Sequence, residues 1–279
     1  MGNRTFRSWF CTLRTLSALF PLLISGCLPA PNESSNPVIS SQTNTRLNNV
    51  MQFINAREAN ANYFTIQIEY DAEAVKEFNG GNADSARSWW RQARDQYEQM
   101  RFAAEKFTPT LHQQIATWFT SNPTEGFHCM EKILFPQCTD MIPCDYLGEV
   151  LQAGLADIPG AIQSIISGSG VFAGFEMMLA DIDTIKFSGL DSAYSNNSYN
   201  DILSNYTGLD SVYSYYQSTV RQMSPATDSL FVTLLLRARN AVLTAGSMAA
   251  IDKPNYRIQY LYPLEDAVKK AAQIVAAQL

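Results

Sequence analysis

From Arg46 onward, apolar residues recur three or four positions apart and almost nowhere alternate. That period buries one stripe of a helix and leaves a strand with the wrong face inside, so it restricts the chain to helices. The clearest stretch is 83–107, where Trp89, Trp90, Ala93, Tyr97, Met100, Ala104 and Phe107 fall on one broad apolar stripe. Breakers punctuate the pattern: Asn79-Gly80-Gly81-Asn82, Thr108-Pro109, and Asn122-Pro123 as a cap followed by proline at a first helical position. The spacing predicts helices over 47–78, 83–107, 110–120, 123–135, 145–166, 170–184, 198–222, 226–246 and 262–278, with a loop over 136–144. Helices joined by short loops give an all-α fold, an antiparallel helical bundle or two bundles side by side. A weak internal echo, Gly189-Leu190-Asp191-Ser192 and Gly208-Leu209-Asp210-Ser211, reads as two aspartate helix caps after glycine turns.

The first residues read as an address. Arg4, Arg7 and Arg14 form a basic region, Thr15 to Ser25 supplies an apolar run too short to span a bilayer, and Leu23-Ile24-Ser25-Gly26-Cys27 resembles a bacterial lipobox. The expectation is a lipoprotein signal peptide over 1–26, lipidation at Cys27, and a flexible Pro/Ser/Asn-rich tether over 27–45 ahead of a helical domain over 46–279. Leu28 after the cysteine, where an aspartate would retain the protein at the inner membrane, points to the outer membrane in a cell that has one.

The formal net charge is −6, and the three arginines of the leader have no acid beside them, so the remainder is more negative still. An acidic protein lacks the basic surface that phosphate backbones require, which excludes a nucleic-acid partner. Beyond Cys27, a disulfide between Cys138 and Cys144 would close a short Pro-containing loop in an oxidising compartment, although the spacing equally allows Cys129–Cys138. Cys129 otherwise reads as a buried thiol, because on a helix it points about 100° away from His128.

The sequence carries no nucleophile elbow, P-loop, dinucleotide fingerprint or H-E-x-x-H zinc motif. Its chemistry concentrates in Gly126-Phe127-His128-Cys129-Met130-Glu131, where an imidazole and a carboxylate three residues apart share a helix face. Glu98 and Glu105 share a face of the 83–107 helix, and Asp181 and Asp183 end a very apolar one. One imidazole with carboxylates from neighbouring helices is a ligand set for iron, zinc or manganese.

Three stretches resemble the imelysin-like family, closest to the imelysin-like domain of periplasmic iron-uptake components. Gly126-Phe127-His128-x-x-Glu131-Lys132-x-Leu134-Phe135 is similar to its G-x-H-x-x-E motif, and Ala93-Arg94-Asp95-x-Tyr97-Glu98 to its Y-E helix. Leu179-x-Asp181, then Lys186-Phe187-Ser188-Gly189 and Tyr194-Ser195, is similar to the L-x-E-x-x-x-x-K-[IV]-T-G…Y-S-H segment, with Asp181 in place of Glu and Asn196 in place of His. The resemblance covers about residues 83–220. It implies two related four-helix bundles, an envelope location and a metal site built from His128, Glu131, Glu98 and Asp181. It also implies iron as the first choice of ion, zinc as the second, and an envelope iron-transport protein as partner. Some family members are named as peptidases, but apart from Glu131 this chain offers no general base for a metal-bound water.

Overall fold

A computed structural model of the chain describes residues 37–78, 83–116, 126–135 and 144–278. Every regular element among them is helical, so the fold is all-α as the periodicity requires. The leader, Cys27 and Cys138 lie outside the described residues, as do Asn122-Pro123 and the side chain of Cys144, which leaves the lipidation and the disulfide pairing as expectations.

Helix α1 (Pro37–Phe78) begins inside the stretch expected to be tether. Proline at a first helical position has its φ already set for a helix and no N–H to leave unpaired. Thr45 Oγ1 then donates back to Ser41 O at 2.9 Å and Arg46 Nη2 to Gln42 Oε1 at 3.3 Å, so a polar linker composition here makes a solvated helix. Helix α2 (Ala83–Phe107) is the predicted amphipathic rod, and α3 (Pro109–Ala116) and α4 (Gly126–Leu134) follow it. Helix α5 (Cys144–Gln163) carries Pro159 in its interior. Helix α6 (Gly168–Asp181) is capped by Ser167, whose Oγ accepts from Gly170 N, and runs into a π turn, Ile182–Lys186. A 3-10 turn, Leu190–Ser192, precedes α7 (Ser198–Met223) and α8 (Pro225–Ala245).

The last helix starts earlier than expected. Its first turn is α9 (Lys253–Tyr256), followed by a π turn, Arg257–Leu261, and then α10 (Tyr262–Ala276). An ordinary α turn would press the Pro263 ring against a carbonyl one turn back, and the wider π turn relieves that clash.

Helix α2 is the axis. It packs against α1, α3, α4 and α5 on one side and against α6 and α7 on the other, while α6, α7, α8 and α10 pack among themselves. Trp90, Ala93, Tyr97, Met100 and Phe102 on α2 are fully buried. Of the tyrosines on and before α7, Tyr206, Tyr213 and Tyr216 are buried in the core, and Tyr194, Tyr199 and Tyr215 are half-buried at its edge. All described residues belong to one compact unit, Asn36–Leu279. Among them no helix is long and apolar enough to cross a membrane.

Helices α2 and α7 meet backbone to backbone at Gly208, where an added Cβ would stand 2.0 Å from Gln99 O. Neither helix can retreat without opening the core. Gly208→Ala should therefore lower stability by about 2–3 kcal/mol in urea denaturation, as overpacking does. Gly160→Ala on α5, with nothing within 4 Å of the new Cβ, should leave it unchanged or raise it by about 0.5 kcal/mol through helix propensity. Equal effects of the two substitutions would refute the close approach as the cause.

Candidate functional site

On α2, Arg94, Glu98 and Arg101 recur at helical spacing and are completely or almost completely buried. Buried charges persist only when paired and hydrogen-bonded. Their partners come from elsewhere in the chain. Lys186 arrives on the π turn after α6, Asp191 on the 3-10 turn, Asp201 on the first turn of α7, and the His128–Glu131 pair on α4.

Arg94 Nη2 donates to Asp191 Oδ2 at 2.6 Å and lies 3.0 Å from Glu98 Oε1 and 3.3 Å from Asp201 Oδ2. Lys186 Nζ sits 2.9 Å from Glu98 Oε2, 2.6 Å from Asp191 Oδ2 and 3.7 Å from Asp201 Oδ2. Arg101 bridges outward from Glu98 Oε1, at 3.2 Å, to the carboxylate of Asp181. Neutral donors complete the shell: Asn205 Nδ2 donates to Glu98 Oε2 at 2.8 Å, and Asn197 Nδ2 to Asp201 Oδ1 at 2.7 Å.

The fields sort these acids. Burial pushes the Glu98 carboxyl up, but Lys186, Arg101 and Arg94 outweigh it and bring it down to about 2. Asp191 is likewise raised by burial and then held well below the usual range by Arg94, Lys186 and Arg101. Asp201 stays at about 6, because burial prevails over Arg94 and Lys186 there. Asp95, bonded to Ser204 Oγ at 3.2 Å, is pushed up to about 7 by burial and by the nearby Asp201.

The motif pair is fully engaged. Gly126, at φ +76°, opens α4 where a Cβ would stand 2.3 Å from Ile115 O, so only glycine lets α4 start this close to α3. That start sets the His128 ring 2.7 Å (Nε2) from Ala116 O and 3.1 Å (Nδ1) from Glu131 Oε2. Nε2 also lies 3.6 Å from Asp191 Oδ1, an acid from another element. Burial pulls the His128 pKa down, but Asp191 and Glu131 outweigh it and raise it, and both ring nitrogens face oxygen acceptors. Glu131 Oε1 accepts from Tyr194 N at 3.1 Å, Ser195 N at 2.7 Å and Ser195 Oγ at 2.6 Å. Three donors thus crowd Oε1, while Oε2 accepts from His128.

Of the four residues expected to converge on one ion, the structure brings His128 and Glu131 together and sets Glu98 and Asp181 on opposite sides of Arg101. Among the described residues, ligand-type atoms gather in two other groups, Glu98/Asp191/Asp201 and Glu105/His112/Asp181, each within 4.8 Å. The first already holds the Lys186 ammonium between its carboxylates. Asn196, which replaces the expected histidine, is exposed and has φ 56°, a left-handed conformation that asparagine tolerates better than most residues.

Sequence reasoning missed Lys186, Asp191 and Asp201 as members of the site. Asp191 was expected to cap a helix, and its echo Asp210 does neither job, being exposed in mid-α7. An available signal was Lys186 on the apolar face that continues Val171, Phe175 and Ile182, since a buried lysine demands an acid.

Two outcomes test this electrostatic frame. Lys186→Met leaves buried acids without their cation, and should cost about 3–5 kcal/mol in urea denaturation at pH 8. The deficit should shrink toward pH 5 as the abandoned carboxyls take up protons, and a pH-independent deficit would refute the pairing. Asp95 has the opposite sign to Glu98. An acid whose folded pKa is raised adds stability in its protonated form, and that stability is lost as pH climbs from the ordinary carboxyl range to about 7. Asp95→Asn should therefore stabilise the protein by roughly 1–3 kcal/mol at pH 8 and hardly at all at pH 4. Compared with known proteins, the chain matches no family model and no curated sequence.

Proposed function

We propose that this protein is a lipid-anchored envelope protein that binds a metal ion, iron first and zinc second, in an iron-acquisition role. The observation that carries the reading is the convergence of acids from separate chain segments on one helix interface. Glu98, Asp181, Asp191 and Asp201 come together around Arg94, Arg101 and Lys186, with the His128–Glu131 pair behind them. Asp181, a member of the sequence-derived set, lines a cavity together with Arg101, Glu105 and Asp191. Glu98 and the His128–Glu131 pair form the wall that fixes Asp191 and Arg101 in depth. The lipobox at Cys27 would tether the domain to a membrane and the negative net charge would favour a cationic cargo. Delivery would require an envelope transport protein as partner.

A second reading has its own observation. Lys186 occupies the innermost acid group as a built-in cation, which suits a metal-free helical scaffold whose ion pairs fix the fold. Titration calorimetry of the purified full chain with Fe²⁺ under anaerobic conditions, Fe³⁺ and Zn²⁺ separates the two. The metal reading expects about one equivalent bound, with iron or zinc raising the melting temperature by mass action. Heat signals and melting curves unaltered by every one of these ions would overturn it in favour of the scaffold.

A further inference from the structure

The cavity of ≈ 320 Å³ at the outer edge of the charged network is lined by Arg101, Glu105, His112, Asp181 and Asp191, among others. Each end of it differs. At the inner end, Glu98, Asp191 and Asp201 each lie within 3.3 Å of a guanidinium or an ammonium, whereas at the outer end Arg101 pairs with Asp181 and stands 3.7 Å from Glu105. At the outer end, Glu105 comes from α2, His112 from α3 and Asp181 from the end of α6, and one ligand-type atom of each lies within 4.8 Å of the other two. We propose that Glu105, His112 and Asp181 form the metal site of this protein, taking a first-row divalent cation such as Fe²⁺, Zn²⁺ or Mn²⁺. The inference rests on the metal-binding reading above and narrows it to residues outside the G-x-H-x-x-E motif.

Two observations beyond the grouping point to a ligand. Glu105 Oε2 is a buried acceptor with no hydrogen-bond partner, its nearest cation atom being Arg101 Nε at 3.7 Å. A buried oxygen of this kind lacks the compensation that such groups normally find. His112 is held from behind, with Tyr97 OH 2.6 Å from Nδ1 and the two rings stacked at 12°. A hydroxyl on one imidazole nitrogen fixes the ring for coordination through the other, Nε2 here, as the outer partners of metal-bound histidines do.

Ligands of a tetrahedral ion at about 2.1 Å stand about 3.4 Å apart. The trio, whose ligand-type atoms lie within 4.8 Å of one another, would draw in by up to about 1.4 Å through side-chain rotation to hold one. One imidazole and two carboxylates suit borderline-to-hard divalent ions over Cu⁺. Arg101, bonded to Asp181, is the counterweight: its charge opposes the ion, and would favour release over tight storage.

The test is titration of the full chain with Co²⁺ and with Fe²⁺, read by Co²⁺ visible absorption and by calorimetry. The variants are Glu105→Gln, His112→Gln and Asp181→Asn, with the exposed Asp210→Asn as control. Melting without metal establishes that each variant is folded. The trio should each weaken binding at least 10-fold, His112→Gln should also shift the Co²⁺ spectrum by removing a nitrogen ligand, and Asp210→Asn should bind as the parent does. If the trio variants bind as the parent while His128→Gln or Glu98→Gln loses binding, this site is refuted and the metal reading stands. If the unaltered chain binds neither ion, both fail.

Discussion

A lysine with no exposed surface needs anions within reach, and Lys186 sets the terms for everything around it. An ammonium or carboxylate moved from water into a helical core carries a desolvation cost of several kcal/mol even after relaxation. The protein offsets that cost by drawing acids from α2, from the turn after α6 and from the first turn of α7 around one point. Removing any one member leaves another charge stranded. The helices that contribute them are thereby held in one register, which apolar stripes alone do not specify, since Leu, Ile and Phe faces can slide by a turn at little cost.

The same constraint explains the unusual backbone. After α6 ends at Asp181, the chain makes a π turn, a 3-10 turn and a left-handed Asn196 before α7 starts. These irregular pieces carry Lys186, Asp191 and the Tyr194–Ser195 amides that Glu131 caps. The His128–Glu131 pair belongs to this scaffold too. Its imidazole and carboxylate tie α4 to the end of α3 and to the turn before α7, so a motif that looks like a ligand pair also works as a clamp between helices. Buried atoms without a hydrogen-bond partner remain both inside the network, at Arg94 Nε and Nη1, and beside the cavity, at Glu105 Oε2.

Much of the fold was legible because apolar period is a local property. The 83–107 helix, the break at Thr108-Pro109 and the helices over 198–222 and 226–246 follow from spacing and cap residues, and the structure places them within a few residues of those bounds. The start of α1 was not legible, since Ser, Asn and Gln are as much at home in a linker as on a solvated helix. Nor were the π turns, where the chain departs from the period that identified the helices.

The site divides along the same line. The sequence by itself determined that the protein is helical and that His128 and Glu131 share a face, because a three-residue spacing on a helix leaves no other choice. Glu98 with Glu105, and Arg94 with Arg101, follow from the same arithmetic along α2. Only the tertiary structure decided that Glu98 and Asp181 face opposite sides of Arg101. It also decided that Asp191 joins the core while its twin Asp210 faces water, and that His112 meets Glu105 across two helices. Those outcomes depend on how close the rods come, as at Gly208 and Gly126, and on which buried charge finds which partner. Both are relations between residues as many as 109 positions apart, as for Asp95 with Ser204, and no local pattern encodes them.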